Sequence, residues 1–380
     1  MSSRSAVARV LALLLASGLL PAAGLLLFCA VTLPGKALAG AVGLMGVGPL
    51  LWALAAERRQ SALSRLGKWV AVLGMAGIVG IALQAPPHRS PEGSRISSRY
   101  ADGGRHGWRV GVGNVLPEID QIHCGFAAAV VLDPLFNRRQ KQGLAAETDA
   151  LYDEMARDPE FRACGSAMPS IYREILGFEF RDGHYFHYIP PQIDRSKPSS
   201  ALVFLHGSGG NFKAYTWLLS KVADRVGCTV IAPTFGLGEW EKPGAYAAVI
   251  AAISDAGRHA AIDPARIHLA GLSNGGKGVC LAESEPGPRF ASIVLLSAVL
   301  HHRVLPEVLA HRLGKRPVLV LSGMVDDRVP WDYVSGYASR LADAGMDVTT
   351  QGFEGEDHFL LFRRRAEMVD ALTGWLQHGP

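Results

Sequence analysis

Three long apolar stretches within the first 84 residues constrain this chain more than any other feature. Val10–Leu33 and Ala37–Ala56 are each long enough to span a bilayer, while Trp69–Leu83 falls just short of the roughly 17–25 residues a helix needs. Hydrocarbon offers no water to main-chain polar groups, so each stretch is expected to be an α-helix. Gly40, Gly43, Gly46, Gly74, Gly77 and Gly80 would let such helices approach closely, and Pro21 and Pro49 are expected to kink them. A cleaved secretory signal ending at Ala37-Leu38-Ala39 is the rival reading of the first stretch. Its apolar core exceeds the roughly 7–15 residues typical of such signals, and two more apolar stretches follow it.

The charge distribution supports an anchor. The chain has 380 residues, 49% of them hydrophobic, and a net charge of +4. Residues 1–84 carry +6, so the remainder is −2 and the basic character belongs to the anchor, with no expectation of a nucleic-acid partner. Arg363-Arg364-Arg365 is the main later basic cluster, read as a solvated helix face. Lysine and arginine concentrate at the N-terminus and in the loop Glu57–Lys68, which places both inside. Three spans then put everything after residue 85 on the extracytoplasmic side, and two would leave it in the cytoplasm. The intramembrane stretches lack charge, which argues against a transporter or channel.

Beyond residue 84 the composition changes. Residues 85–114, with Pro86-Pro87 and much Ser, Arg and Gly, read as a linker. Residues 115–176 read as a helical spacer or lid, with Ala145–Arg157 the clearest helix. Cys124 and Cys164 could form a disulfide if this part is exported, and no cysteine spacing suits zinc. From 177 to 380 the pattern alternates. Expected strands are His184–Ile189, Ala201–Leu205, Cys228–Ala232, Arg266–Ala270, Ser292–Ser297, Val318–Ser322 and Asp347–Phe353, interleaved with helices. Short apolar runs alternating with helices predict an α/β domain with a mostly parallel sheet covered on both faces.

One motif gives that domain its chemistry. Gly271-Leu272-Ser273-Asn274-Gly275 matches G-x-S-x-G between an expected strand and an expected helix, the setting of a nucleophile elbow. Gly271 and Gly275 would make room for a serine hydroxyl held on a sharp turn. Such a serine needs a base and an acid, in the chain order serine, acid, histidine. His358, after the last expected strand, is the candidate base; His301 and His302 are rivals that precede the acid. Asp326 and Asp327 compete for the acid role. The glycine-rich run His206-Gly207-Ser208-Gly209-Gly210 could supply oxyanion donors from Ser208 or Gly209, together with the N–H of Asn274. It lacks the lysine of a phosphate-binding loop. Phe235, Trp240 and Tyr246 could shape a substrate pocket.

With these motifs in place, residues 180–378 resemble the alpha/beta-hydrolase superfamily. Within it, "IDPARIHLAGLSNGG" is similar to the esterase, dienelactone-hydrolase and polyhydroxybutyrate-depolymerase group, which shades into prolyl-oligopeptidase-like peptidases. The resemblance implies that Gly323-x-x-Asp326-x-x-Val329-Pro330 is the acid motif, which selects Asp326. It also implies acyl transfer through Ser273, His358 and Asp326 without a metal or organic cofactor. A small-molecule or lipid carboxylic ester is the expected substrate, the bilayer is the expected partner, and no signal of oligomeric state appears. Peptidase or amidase activity, acyl transfer, and a non-enzymatic membrane-tethered scaffold are the alternatives; a scaffold would be expected to have lost part of this set.

Overall fold

The computed structural model describes residues 3–58, 61–86, 90, 93–101, 112–176, 183–284, 290–302, 304, 309, 311–312 and 314–378. They form two compact units, Met1–Pro86 with Arg109–Lys141, and Pro87–Trp108 with Gln142–Pro380. The stretch 115–176, which reads as one spacer in the sequence, is thus divided between them.

The first unit is helical. It contains α1 (Ser3–Cys29), α2 (Leu33–Arg58), α3 (Ser61–Gln84), α4 (Val112–Val115) and α5 (Glu118–Leu132). Three of these are long and apolar enough to cross a membrane, over Ala6–Cys29, Leu33–Ala55 and Ser61–Gln84. The third helix starts eight residues before the apolar stretch does and includes Arg65 and Lys68. Those cations therefore sit in helical turns rather than in the loop expected at Glu57–Lys68, and their long stems can carry the charge back toward an interface. Pro21 and Pro49 lie inside continuous helices. Close packing is set by glycine: a Cβ on Gly74 would lie 2.7 Å from the Ala41 carbonyl oxygen, and one on Gly48 2.6 Å from that of Gly67. Gly40 and Gly80 face no atom within 4 Å.

Asp120 pins the α1–α2 turn. One carboxylate oxygen accepts from the N–H groups of Val31 (2.7 Å) and Thr32 (2.9 Å), and the other accepts from the Thr32 hydroxyl at 2.5 Å. Thr32 Oγ1 in turn accepts from Gly35 N–H at 3.0 Å, capping α2. The carboxylate is fully buried against the helix N-terminus, where orphan donors and the dipole favour a negative charge.

The second unit is built on an eight-stranded sheet. After α6 (Arg138–Ala156), α7 (Pro159–Ala163) and α8 (Met168–Ile175), the chain alternates through α9 (Lys213–Val226), α10 (Ala245–Gly257), α11 (Gly275–Ser284), α12 (Trp331–Asp343), α13 (Leu360–Arg363) and α14 (Arg365–His378). The strands are β1 (Ile96–Tyr100), β2 (His184–Tyr188), β3 (Ser199–Leu205), β4 (Cys228–Pro233), β5 (Ile262–Leu272), β6 (Ser292–Leu296), β7 (Pro317–Gly323) and β8 (Asp347–Phe353). Their spatial order is β1-β2-β4-β3-β5-β6-β7-β8, parallel from β4 to β8, with β1 and β2 antiparallel.

Period-two alternation in the buried strands creates two cores. Leu202, Phe204, Val230, Val294 and Leu319 face one side with residues of α8, α9 and α14. Val203, Leu205, Ile231, Ile293 and Val320 face the other with residues of α10, α11 and α12. Each fully buried Leu, Ile or Phe is worth about 2 kcal/mol relative to exposure, against below about 1 kcal/mol for an exposed ion pair, so these layers dominate stability. At the open edge, β8 carries exposed Asp347, Thr349, Thr350 and Gln351, which discourage further strand pairing.

Two expectations are corrected. Within the stretch 85–114 read as linker, Ile96–Tyr100 is the edge strand β1, paired with β2 from Ile96↔Tyr188 to Tyr100↔His184. Its Ser-rich "ISSRY" hides the strand because the hydroxyls of Ser97 and Ser98 are buried and hydrogen-bonded to the His187 carbonyl and to His184. Of the rest of that stretch, 87–89, 91–92 and 102–111 lie outside the described residues, and its last three residues begin α4. Cys124 and Cys164 are both free and belong to different units, the second buried beside Ser90, while Cys124 hydrogen-bonds with Cys29.

Replacing Asp120 with Ala removes the acceptor of the Val31 and Thr32 N–H groups and of the Thr32 hydroxyl. The expected loss is about 3 kcal/mol, with a smaller loss for Asp120→Asn, which keeps one acceptor; thermal unfolding in detergent measures it.

Candidate active site

The elbow begins where β5 ends. Ser273 has φ +50°, a left-handed conformation rarely taken by a residue with a side chain. Its N–H donates to Leu296 O (2.9 Å), and its carbonyl accepts from Gly276 N–H (3.0 Å) and Val299 N–H (2.9 Å). The flanking glycines are steric requirements. A Cβ on Gly271 would lie 2.6 Å from the Gly275 carbonyl, and one on Gly275 2.1 Å from Leu205 O. The turn therefore passes against the end of β3 and projects the Ser273 hydroxyl at the carboxyl ends of the parallel strands, where such sheets place their sites.

The expected partners converge there. His358 Nε2 lies 3.0 Å from Ser273 Oγ, and its Nδ1 lies 2.8 Å from Asp326 Oδ2. A carboxylate can only accept, so Nδ1 carries the proton and Nε2 is free to accept from the serine. The other oxygen, Asp326 Oδ1, accepts from the N–H groups of Arg328 (2.9 Å) and Val329 (2.8 Å), and the side chain is fully buried. Asp327 is exposed and makes no such contact. Gly323 has a reason of its own: a Cβ there would lie 2.2 Å from Glu356 O, so only glycine lets the loop bearing His358 cross the end of β7.

That loop is braced by the arginines read as a solvated face. Arg363 pairs with Asp357 at 2.9 Å and Arg364 with Glu356 at 2.7 Å, one pair on each residue preceding His358. Arg365 reaches Glu147 (2.7 Å) and Glu154 (3.1 Å) on α6. Two arginines of the basic run hold the histidine loop and the third pairs with α6, roles invisible until the carboxylates are located in space.

The oxyanion candidates divide. Gly209 N–H donates to Leu237 O at 3.0 Å, so it is engaged within the loops and is corrected as a free donor. The N–H groups of Ser208 and Asn274 find no acceptor among the described residues, and Asn274 Nδ2 donates to Ser208 Oγ at 2.8 Å, clamping the two segments together.

His206 sets the shape of this glycine loop and was not singled out by its sequence context. It is fully buried; Nδ1–H donates to Gly207 O (2.8 Å) and Nε2 accepts from Phe235 N–H (3.2 Å). Trp240 donates its indole N–H to His206 O at 2.8 Å and is itself fully buried, stacked on Phe235. Trp240 is thus part of the core rather than a pocket wall. His301 and His302 lie after β6 and do not contact Ser273.

Burial pushes His206 down to about 4, from an ordinary value near 6.5. Between these values the unfolded chain binds one more proton than the folded one. This group therefore removes stability as pH falls from 6.5 to 4, by about 3 kcal/mol in full, and has no such effect above 6.5. Denaturant titrations at several pH values should show a shallower acid limb for His206→Gln than for the wild-type chain.

Several solved structures are similar over about half of this chain. The esterase of the hyperthermophilic archaeon Pyrobaculum calidifontis is 17% identical over 51% of this chain and 81% of its own, with a TM-score of 0.42. An esterase of the planctomycete Thermogutta terrifontis is 18% identical over 50% and 85%, with a TM-score of 0.39. A thermostable carboxylesterase cloned from a metagenomic library is 17% identical over 52% and 85%, with a TM-score of 0.42. No curated protein matches the chain. A family model described as the alpha/beta hydrolase fold matches residues 202–324, which span β3 to the loop after β7 and include Ser273. The second unit has the alpha/beta-hydrolase fold, preceded in the chain by three long apolar helices.

Proposed function

We propose that this protein is a membrane-anchored serine hydrolase that cleaves carboxylic esters. The observation that carries the reading is the unbroken hydrogen-bond chain from Ser273 through His358 to Asp326, with its serine on a left-handed turn. A scaffold would have no need to keep a buried acceptor, an oriented imidazole and a strained hydroxyl in register.

The steps follow from the geometry. His358 Nε2 takes the Ser273 proton as Oγ attacks the ester carbonyl, and Asp326 stabilises the imidazolium. The developing oxyanion is received by the N–H groups of Ser208 and Asn274, whose donors are already oriented. His358 then protonates the departing alkoxide, leaving an acyl group on Ser273, and next activates a water that releases the acid. An uncharged substrate suits the surroundings. Leu237, whose carbonyl holds the glycine loop, and Met324 and Val325, next to Asp326, are exposed apolar side chains on loops at the strand ends. They favour an apolar acyl or alcohol group, including a lipid ester presented from the bilayer.

Location follows from the anchor. With the N-terminus inside and three crossings, the hydrolase unit lies on the extracytoplasmic side.

A membrane-impermeant fluorophosphonate applied to intact spheroplasts is expected to label the wild-type chain and not Ser273→Ala. Labelling only after lysis would move the unit to the cytoplasm, and no labelling in either would refute the nucleophile. Hydrolysis of short-chain ester substrates separates the two acids. Asp326→Asn should lower kcat by about 10⁴-fold through the wrong imidazole tautomer, whereas Asp327→Asn should leave it near wild type.

A further inference from the structure

Three potential metal ligands meet outside the serine site. Glu241 lies on the loop between β4 and α10, and His301 and His302 lie on the loop after β6. One carboxylate oxygen and two ring nitrogens, one from each residue, all fall within 4.8 Å of one another. Glu241 and His302 are exposed and His301 is buried at their flank, so an ion has access from solvent on one side and a packed wall on the other. The two imidazoles are stacked, with ring centroids 4.8 Å apart and 28° between planes.

The backbone beneath them is anchored. Leu300 N–H donates to the Tyr333 hydroxyl at 3.0 Å, Val304 N–H donates to His301 O at 2.9 Å, and His301 N–H is directed at Cys280 on α11. Glu241 follows the fully buried Trp240. Ligands on fixed main chain lose less freedom when an ion binds than ligands on a loose loop would.

We propose that Glu241, His301 and His302 form a binding site for a divalent transition-metal ion, with zinc the ion that this donor set fits best. Two neutral imidazoles and one carboxylate, completed by water, are a zinc set, and magnesium or calcium would require more oxygen ligands. Zinc–ligand distances of about 2.0–2.2 Å place tetrahedral donors about 3.4 Å apart, so the donors, now within 4.8 Å of one another, must close by at most about 1.4 Å. The contact between Glu241 and Lys277 must yield. Lys277 Nζ lies 3.2 Å from Glu241 Oε2, an ion pair whose carboxylate end is open to solvent and which is correspondingly weak. Zinc and the Lys277 ammonium compete for the same carboxylate.

The site also has a position that matters. Val299, two residues before His301, donates to the Ser273 carbonyl, and Trp240, next to Glu241, donates to His206 O. A bound ion would tie together the two loops that flank the nucleophile turn and the glycine loop.

Zinc titration of the full chain in detergent, followed by calorimetry, tests this without reference to hydrolysis. A Ser273→Ala background keeps the result independent of the proposed catalysis. One equivalent of zinc should bind and raise the thermal midpoint, and Glu241→Gln and His302→Ala should each weaken binding by at least about tenfold. Lys277→Met supplies the opposite sign: removing the competing ammonium should tighten zinc binding, a gain that misfolding cannot produce. Absence of one-equivalent binding, an affinity equal to that of the parent chain in either ligand variant, or unchanged affinity in Lys277→Met would overturn the proposal.

Discussion

The left-handed turn at Ser273 is the constraint around which the hydrolase unit is organised. A non-glycine residue at φ +50° costs on the order of 1–3 kcal/mol, and it persists only where its surroundings over-determine it. Here three main-chain hydrogen bonds do so, one donated by Ser273 N–H to Leu296 O and two accepted by its carbonyl from Gly276 and Val299, which tie the turn to β6, the loop after it and the start of α11. The absence of side chains at Gly271 and Gly275 lets the same turn press against the end of β3. Ser297, next across the sheet at φ +41°, is a second left-handed residue, and its N–H donates to Leu321 O at 2.8 Å. The carboxyl ends of β3, β5, β6 and β7 are thus interlocked through main chain, which makes the position of one hydroxyl a property of the whole sheet.

A second interlock brings acid and histidine to that hydroxyl. Val325 N–H donates to Glu356 O at 3.0 Å, and Gly323 lets the two loops cross. Arg363 and Arg364 hold the carboxylates of Asp357 and Glu356, the two residues at the crossing. Each ion pair is partly exposed and contributes little alone. Their effect is to limit where the His358 loop can go, and the buried Asp326 carboxylate, with two N–H donors behind it, then fixes the ring orientation.

Electrostatics under the glycine loop follow the opposite rule. His206 is kept neutral by burial, with both ring nitrogens used, and Asn211 donates to Ala232 O (2.8 Å) and Thr234 Oγ1 (3.0 Å) behind it. Neutral, nearly saturated polar groups rigidify a core without the desolvation penalty of a charge. The result is a stiff floor beneath the Ser208 donor.

The sequence by itself determined what local chemistry can determine. Uninterrupted apolar runs required helices in the first 84 residues, short apolar runs interleaved with helices marked seven strands, and G-x-S-x-G with a downstream acid and histidine marked the candidate site. The apolar runs and the G-x-S-x-G turn are local signals, whereas the acid and histidine, 53 and 85 residues after Ser273, were reached through their chain order and the strand ends they follow. Tertiary structure decided everything that depends on which distant loop arrives beside which. It engaged Gly209 N–H with Leu237, turned "ISSRY" into an edge strand, and left Cys124 and Cys164 as free thiols. It also paired the arginine run with acids up to 218 residues away and gathered Glu241 with His301 and His302. Such pairings require loop closure across tens of residues, and their outcome is settled by packing of the two sheet faces, which no local pattern encodes.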